Sequence, residues 1–596
     1  MKENDAAIGI MMKSMMHEPF YTSGSYTNDR LGVCLGWLNR PGSFSDCMPV
    51  WNEKNDVCLV FYGENFDDRS ITDKLKSSGH TFAAGNASYL VHLYEEYGSS
   101  FLELLNGWFS GVLIDLRKEI VFLFNDRYGM QRIYLHEHNN SLYFSSEAKS
   151  LIRVCPWLLD LDMKSLGEVF SFGCVLDNRT LFSGISLLPP GSVWTYRNGQ
   201  QAKETYFDQK SWESQDKLDK VAFYKKFRET FVSILPKYIN TENGDIALSL
   251  TGGLDTRMIM ANINVPSGKL PTYTFGGMYR DCFDVKVGRK VAKVCHQPHQ
   301  VLEVDRNFFS EFPTLAEKTV LTTDGNLDVS GAPDLYVNRM AREIAPVRLT
   351  GNYGSEIMRG ARHLKANRAR AGLFDASFEK SINDAAITLD KHSRDHRVSF
   401  AAFKQTPWHH YNRLALEQSQ ITLRSPFLDN DLVKLMYQAP TEVLDSSELS
   451  LRLISDGNRE LGNIMTDRGR GGNKGYLFSK LAFLYHEFLF KTDYAFNYGM
   501  PQWYAKLDYS LLSPLHLERC FLGRHKFYHF RVWYRDELAG YVKEILLDQK
   551  SLKRPYLNGK FAEEMVLAHT SGRLNYTTEI TRLLTIELLQ RLMLDR

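Results

Sequence analysis

The chain has 596 residues, of which 43% are hydrophobic and 24% charged, and its formal net charge is +2. This composition is typical of a globular protein with about two to four domains, and the small net charge gives no reason to expect nucleic acid or an anionic membrane as a partner. The absence of an 18-residue apolar run, of a recognisable signal peptide and of any CxxC pair among the eight cysteines predicts a cytoplasmic protein without membrane spans, zinc–cysteine sites or disulfides.

Residues 1 to about 155 alternate short apolar runs with turn residues. The runs are rich in β-branched and aromatic residues and lie at 57–64, 107–115, 120–129, 133–135 and 142–147. Such runs, with few long helices between them, predict packed antiparallel sheets. A helix is expected over residues 88–98, where apolar side chains recur at helical spacing.

After Tyr206 the pattern changes to strands that alternate with helices. A predicted helix over 221–235 leads into a strand that begins near Asp245, and further strands are expected at 272–276 and 299–304. This alternation predicts a parallel sheet with crossover helices, whose ligands bind at the carboxyl ends of the strands. From about Phe478 onward the chain shows amphipathic helical stretches but no motif.

The strand that begins near Asp245 ends in the loop 250–256, which reads Leu-Thr-Gly-Gly-Leu-Asp-Thr. Backbone N–H groups of such a turn and the positive end of the following helix form an anion site. Gly252 and Gly253 allow the backbone to come close to the anion, while Thr251 and Thr256 can donate hydroxyl groups and Asp255 can hold a cation. The loop therefore indicates a nucleotide phosphate site, with an ordinary strand–turn–helix junction as the simpler alternative.

This loop resembles the Ser-Gly-Gly-Leu-Asp-Ser pyrophosphate loop of the N-type ATP pyrophosphatases, and within them it looks most like the asparagine synthetase family. That family makes an acyl-adenylate from ATP and a carboxylate and then attacks it with an amine. The resemblance implies a glutaminase-like antiparallel β-sandwich of the Ntn-hydrolase type over residues 1–205. It further implies a parallel-sheet α/β ATP pyrophosphatase domain with a helical C-terminal part over residues 206–596. ATP and Mg²⁺ are the implied cofactors, and the implied ATP-binding residues are Leu250, Thr251, Gly252, Gly253, Asp255, Thr256, Phe275 and Gly351.

The first 205 residues resemble the family's glutaminase domain but depart from it at the residues that would act on glutamine. The family's nucleophile is an amino-terminal cysteine exposed by removal of Met1, whereas this chain has Lys2 and no cysteine before Cys34. Tyr62, Ala87 and, by a looser alignment, Trp37 stand at the glutamine-binding positions. We therefore expect a structural remnant. A start codon assigned too far downstream is the alternative, and it would restore glutamine-dependent asparagine synthesis.

A second glycine-rich turn follows an apolar strand at 347–349. With one inserted residue at Asn352, Tyr353 and Glu356 take the positions of the family's glutamate and magnesium-binding aspartate; without the insertion these positions fall on Asn352 and Ser355. We prefer the gapped alignment because it keeps Gly354 and a well-placed acid. Asp255 and Glu356 would then hold Mg²⁺, unless Glu356 is merely an acid at a helix N-terminus. In β-lactam synthetase, a relative, a tyrosine at the position of Tyr353 helps to deprotonate the attacking amine.

Two later segments resemble parts of the family's synthetase site. Residues 423–429 resemble its Arg-x-Pro-Phe-Leu-Asp element, in which Arg424 would orient substrate or form a structural ion pair with Asp429. The family's catalytic lysine has no clear counterpart, and the candidates in the segment 466–475 are Arg468, Arg470 and Lys474. Arginine can stabilise phosphate charge but cannot donate a proton.

The sequence thus predicts an ATP- and Mg²⁺-dependent ligase that adenylates a substrate carboxylate and joins it to an amine without hydrolysing glutamine. The carboxylate would belong to a small molecule or a peptide, as in the relatives that make β-lactams and lasso-peptide macrolactams. A homodimer is left open. A non-catalytic ATP-binding scaffold is the competing interpretation.

Overall fold

The computed structural model describes residues 2–66, 69–240, 245–472, 476–499, 502–512, 517–520 and 522–595. Antiparallel strands dominate its first part. They are β1 Thr22–Asn28, β2 Val33–Asn39, β3 Val50–Trp51, β4 Val57–Asn65, β5 Gly107–Asp115, β6 Ile120–Asn125, β7 Tyr134–His138, β8 Ser141–Ser145, β9 Ser186–Leu187, β10 Ser192–Arg197 and β11 Gln200–Thr205.

Six of these strands form one sheet in the order β11-β10-β6-β5-β4-β3, with every neighbouring pair antiparallel. Successive side chains of a strand point to opposite faces, so Leu59 of β4 enters the core on one face and Cys58 the core on the other. The second core also contains Leu35 of β2 and Leu135 of β7, which belong to the smaller sheets β1-β2 and β8-β7-β9. The predicted antiparallel sandwich is confirmed.

The helices of this part lie before, between and after the strands. They are α1 Lys2–Ser14, α2 Arg69–Ser77, α3 Leu90–Tyr97, α4 Phe101–Leu104, α5 Ala148–Val154, α6 Met163–Phe172 and α7 Lys210–Glu213. The predicted helix at 88–98 is α3, preceded by a 3₁₀ turn whose Ser88 N–H donates to the side chain of Asn86. The apolar residues of α3 enter the same core as Leu59.

A second sheet is wholly parallel and has the strand order β14-β13-β12-β15-β16. Its strands are β12 Ile246–Ser249, β13 Thr272–Gly277, β14 His299–Val304, β15 Val347–Leu349 and β16 Thr422–Arg424. From β12 the chain builds outward to β13 and β14 and then returns to the other side of β12 with β15 and β16. The direction of building reverses between β12 and β15, and ligands of such sheets bind at the carboxyl ends of the strands beside this reversal.

Helices connect the strands of the second sheet and form the C-terminal part of the chain. They are α8 Lys220–Ile239, α9 Asp255–Asn262, α10 Phe283–Val294, α11 Asn307–Thr322, α12 Ala332–Ile344, α13 Gly354–Arg359, α14 Ala376–Asp390, α15 Arg397–Phe400, α16 Tyr411–Gln418, α17 Asn430–Met436, α18 Thr441–Leu444, α19 Glu448–Gly457, α20 Arg459–Gly462, α21 Tyr476–Tyr494, α22 Gln502–Leu507, α23 Phe530–Arg535, α24 Ala539–Leu546, α25 Gln549–Leu552, α26 Gly559–Thr570 and α27 Thr577–Leu589. A π-helix, Ala401–His410, joins α15 to α16.

The two parts of the chain share buried surface. One core cluster joins Met11 and Leu151 of the first part to Phe312 and Leu588 of the second. The antiparallel sheet ends at Thr205 and the parallel sheet begins at Ile246, while a domain boundary at 205/206 stays a prediction. Within the described residues, no helix is both long enough and apolar enough to cross a membrane.

Candidate functional site

The loop between β12 and α9 is a tightly packed turn that already holds a carboxylate. The Gly252 N–H donates to Oδ1 of Asp284 at 2.6 Å. A Cβ at Gly252 would lie 2.6 Å from Cβ of Asp467 and 2.9 Å from that same Asp284 oxygen, so no larger residue fits without a shift. Because a carboxylate oxygen occupies this N–H, the turn has the chemistry of an anion site.

Other polar groups of the loop are only weakly engaged. The N–H groups of Thr251 and Gly253 lie 3.4 Å from Oγ1 of Thr256 and Thr251 respectively, which is long for a hydrogen bond. Leu250, in contrast, is fixed by its N–H donating to the Tyr273 carbonyl at 2.7 Å. The loop thus has a rigid base and an upper edge whose donors are free to bind phosphate oxygens.

The second glycine loop lies directly against the first. A Cβ at Gly351 would come within 2.7 Å of the Thr256 nitrogen, and one at Gly354 within 2.6 Å of Cγ of Asp255. Of the two residues between these glycines, Tyr353 has a φ of 70°, a conformation that tyrosine rarely adopts. The two loops that the sequence singled out are therefore adjacent, at the reversal between β12 and β15.

Asp255, at the start of α9, lies in surroundings that disfavour the ionised form of its carboxyl group. Burial raises its pKa to about 6; the charge of Glu356 adds to this rise, and Arg359 opposes it. Both terminal nitrogens of Arg359 lie 3.4 Å from Oδ1 of Asp255. A cation bound between Asp255 and Glu356 would stabilise both carboxylates.

Glu356 on α13 is also the centre of a histidine cluster. Its Oε1 lies 2.7 Å from Nε2 of His363 and 3.5 Å from Nε2 of His410. Burial would raise the pKa of Glu356, but the His363 hydrogen bond and the charges of His410 and His363 outweigh burial and lower it to about 2. The donor atoms of the three residues lie within 4.8 Å of one another, so Glu356 could ligate a metal together with these imidazoles or with Asp255. Neither histidine stands in a recognised motif, so the sequence alone did not predict them as site residues.

Tyr353 forms a wall between the two parts of the chain. Its ring packs edge-on against Trp108 of the antiparallel sheet, with 5.5 Å between centroids, and against His410 at 5.9 Å. Burial raises the pKa of Tyr353 well above its ordinary value. In the free protein this side chain is therefore a neutral phenol, and a role in deprotonating an amine stays a prediction.

The segment 466–470 also reaches the first loop, but through a different residue from those expected. The Asp467 N–H donates to the Gly252 carbonyl at 3.1 Å. Burial raises the pKa of Asp467 and of Asp284, and each carboxylate adds to the rise of the pair. Neither acid could be predicted from the sequence, because Asp284 stands in no motif and the segment 466–475 drew attention for its basic residues alone. Together with Asp255 they surround the phosphate loop with carboxylates.

The arginines of that segment are committed elsewhere. Arg468 donates to Glu487 of α21 at 2.8 Å, and its guanidinium carbon lies 3.1 Å from the centroid of Phe490. Arg470 donates to Ser447 at 2.6 Å. Arg468 thus has an acid and an aromatic face of α21 as partners, while its Nε lies 3.9 Å from Oδ2 of Asp467, and its expected role as a cation at the phosphates stays a prediction. Lys474 lies outside the described residues. The described cation nearest to Asp255 is Arg359.

Arg424 also has a different partner from the one expected. It forms a two-point ion pair with Glu64 of β4, with Nε–Oε2 at 2.9 Å and Nη2–Oε1 at 2.6 Å. Asp429 instead accepts from Asn106 at 2.7 Å and from Tyr238 at 3.1 Å. The predicted Arg424–Asp429 pair is wrong. Because both Arg424 and Glu64 are mostly buried, Arg424 holds the two parts together, and its predicted role in orienting substrate stays a prediction.

Phe275, the remaining predicted ATP-binding residue, lies on β13 beside the strand that carries the phosphate loop. It is half-buried, and its ring packs against Phe527 with 6.0 Å between centroids. It therefore has the loop's edge of the sheet on one side and the C-terminal part of the chain on the other.

The antiparallel sandwich contains a cavity of about 640 Å³. Trp37 and Tyr62 line it, and Met11, Met12 and Met15 from α1 and the turn after it line another side. Ala87 does not reach the cavity and is fully buried in the sandwich core. Two of the three residues at the predicted glutamine positions thus face a space that methionines partly fill.

Comparison with known proteins assigns each part of the chain to a domain family. Residues 39–207 match the glutamine amidotransferase domain, and residues 241–449 match asparagine synthase. Glutamine-hydrolysing asparagine synthetase 1 of Bacillus subtilis is 22% identical over 60% of this chain and 56% of its own length. The corresponding synthetase 2 of that organism is 26% identical over 46% of this chain and 38% of its own length. A glutamine-hydrolysing asparagine synthetase of Zea mays is 36% identical over 18% of each chain.

The matches span at most 59% of the length of these and the other curated relatives considered. Among solved structures, the glutamine phosphoribosylpyrophosphate amidotransferase of B. subtilis aligns with 50% of this chain and 88% of its own at 10% identity. Its TM-score of 0.26 is too low to bear on fold or function.

Proposed function

The chain belongs to the asparagine synthetase family, and on that premise we propose that it is an ATP-dependent ligase that joins a carboxylate to an amine. The observation that carries the proposal is the contact of the two glycine loops at the reversal of the parallel sheet. The first loop offers backbone donors for phosphate, and the second brings Glu356 and Arg359 beside Asp255.

In the proposed reaction the substrate carboxylate attacks the α-phosphorus of ATP, and the bond to the departing pyrophosphate breaks. The amine then attacks the acyl carbon, a C–N bond forms as AMP leaves, and the amine loses a proton to a base. The N–H groups of Thr251 and Gly253, which have only 3.4 Å partners within the loop, would hold the pyrophosphate oxygens. Arg359 would supply positive charge near them. Groups that are already in position stabilise the negative charge that develops in the transition state, because they need not be reorganised when it forms.

Magnesium fits the carboxylates at this site. Asp255 and Glu356 are oxygen donors, which are the ligands that Mg²⁺ prefers, and a bound cation would offset the burial that raises the pKa of Asp255. When bound, Mg²⁺ would neutralise phosphate charge. The hydrogen bond between His363 and Glu356 would then either break or remain on the side of the carboxylate that faces away from the ion.

We propose that the amine does not come from glutamine. The cavity of the sandwich presents Trp37 and Tyr62, which stand at the family's glutamine-binding positions, together with the methionines at 11, 12 and 15. The amine would then belong to the acceptor substrate or to the substrate that carries the carboxylate, as in the relatives that close lactam rings. Tyr353 is the proposed group that takes up or relays the proton of that amine.

Exchange of labelled pyrophosphate into ATP tests the adenylation step with a panel of amino acid and peptide carboxylates. We expect exchange by the native protein and a loss of about 100-fold in Asp255→Ala. Asp245→Ala is the matched control, because Asp245 is exposed at the opposite end of the same strand. ATP binding without exchange across the panel would contradict the proposal and favour a scaffold.

The names of the relatives make glutamine-dependent asparagine synthesis the second candidate. It predicts that the protein releases glutamate from glutamine and forms asparagine from aspartate. We expect neither product from glutamine, and equal amide formation with and without it. Glutamate release that an affinity label for glutaminase cysteines abolishes would overturn the proposed independence from glutamine.

A further inference from the structure

Four potential metal ligands converge on the antiparallel sandwich, away from the phosphate loops. Glu53 lies in the turn between β3 and β4, His80 follows α2, and His92 and Glu95 lie on α3. One donor atom from each lies within 4.8 Å of the donors of the other three. Among the described residues the only other such group is that of Glu356, so this cluster is a rare arrangement in the chain.

The separations between these donors are close to those of a tetrahedral metal site. Nδ1 of His92 lies 3.0 Å from Oε2 of Glu95 and 3.6 Å from Oε2 of Glu53. Nδ1 of His80 lies 3.8 Å from the same Glu95 oxygen and 3.9 Å from Oε1 of Glu53. In a tetrahedral zinc site with bonds of about 2.0–2.1 Å, ligand atoms are roughly 3.3 Å apart. Shifts of a few tenths of an ångström would complete that geometry.

Surrounding groups orient the ligands toward the common centre. His80 bonds Glu96 through Nε2 at 2.9 Å, which leaves Nδ1 facing inward. Glu95 accepts from Asn52 at 2.8 Å on Oε1, which leaves Oε2 facing inward. A carboxylate on the outer nitrogen of a histidine and a bonded outer carboxylate oxygen are the usual supports of metal ligands.

The ligand set selects among metals. Two imidazole nitrogens and two carboxylate oxygens suit zinc, whereas Mg²⁺ and Ca²⁺ prefer oxygen alone and copper(I) prefers sulfur. Four protein ligands leave no open position for a substrate, and this closure is typical of a structural site. His92 is 2% exposed, so the centre is protected from solvent on the side of α3.

We propose that Glu53, His80, His92 and Glu95 bind a structural Zn²⁺ ion that fastens α3 to the β3–β4 turn. The ion would neutralise the paired carboxylates and tie together three segments that are joined at this point by side-chain contacts and by the Thr81 N–H, which donates to Oε1 of Glu53 at 3.2 Å. This site is independent of the proposed ligase activity, because it shares no residue with either glycine loop.

Zinc titration of the full-length protein after chelator treatment tests the site. The experiment uses a His363→Gln background to disable the cluster around Glu356. We expect one Zn²⁺ per chain, a zinc-dependent rise in melting temperature and, with Co²⁺, the intense visible absorption of a tetrahedral centre. His80→Gln and Glu53→Gln should each weaken zinc binding at least 10-fold, and Glu96→Gln should weaken it without changing the stoichiometry. His80→Gln and Glu53→Gln both leave the buried His92 in place.

Glu103→Gln on α4 is the matched control, because Glu103 is exposed and outside the cluster; it should bind zinc as the background does. Stoichiometric binding that both His80→Gln and Glu53→Gln weaken supports the proposal. Failure to bind zinc at saturating concentration, or an affinity that neither substitution changes, overturns it and leaves the four residues as a hydrogen-bonded ion-pair network.

Discussion

Replacing Asp255 by asparagine should stabilise the metal-free protein while it abolishes function. Its pKa of about 6 lies roughly two units above the ordinary 3.8, and each unit corresponds to about 1.4 kcal/mol. Because the folded state holds the proton more tightly than the unfolded state, stability falls as pH rises from about 4 to 6. At pH 7.5 the ionised carboxylate therefore costs up to about 3 kcal/mol, and at pH 5 about half of that. Asparagine imitates the neutral acid and removes this cost.

Thermal unfolding with chelator present, at pH 5 and at pH 7.5, measures the effect. We expect Asp255→Asn to melt above the native protein at both values, with the larger difference at pH 7.5. Added Mg²⁺ and ATP should raise the melting temperature of the native protein alone, since binding to the folded state stabilises it. Asp245→Asn, at the exposed end of β12, should change neither result. A variant no more stable than the native protein at pH 7.5, or a difference independent of pH, would refute the reasoning.

Three further substitutions test the site and the interface beside it. Arg424→Met should lower the free energy of unfolding by about 3–5 kcal/mol, because it leaves the buried charge of Glu64 without its partner. In a thermal melt, the double variant with Glu64→Gln should recover part of this loss. If the losses from the two substitutions simply add, the pairing is contradicted. Tyr353→Phe should leave ATP–pyrophosphate exchange intact but slow amide formation, followed by mass spectrometry, about 100-fold. An equal loss in both assays would exclude a role confined to the amine step. Gly252→Ala should weaken ATP binding, measured by calorimetry, at least 10-fold, because the added Cβ would lie 2.6 Å from Cβ of Asp467. Gly540→Ala is the control: its Cβ would have no atom within 4 Å, and this variant should bind ATP as the native protein does.

The strands and the glycine loops could be predicted because their signals are local. A short apolar run between turn residues placed the strand 107–115 at its observed bounds, and the predicted strand 299–304 has its expected bounds as well. The phosphate loop could be recognised from seven consecutive residues, since its chemistry depends on glycine, hydroxyl and acid side chains in one turn. Strand–helix alternation was enough to predict a parallel sheet.

The partners of side chains far apart in sequence could not be predicted. Arg424 lay beside an acid in its own motif, yet it pairs with Glu64 across the interface. Asp284, Asp467 and His410 reach the site because strand order and helix packing bring separate segments together. Pairings of this kind depend on the tertiary structure, and no periodicity in one segment records them.

The contact between Trp108 and Tyr353 limits how the chain can be shortened in evolution. The indole comes from the antiparallel sandwich, yet it packs against a residue of the second glycine loop. Removal of the first two hundred residues would take Trp108 away from Tyr353 and Glu64 away from Arg424, and would expose both side chains. The parallel-sheet part therefore depends on the sandwich for its packing, and a shortened chain would need other side chains to cover these residues.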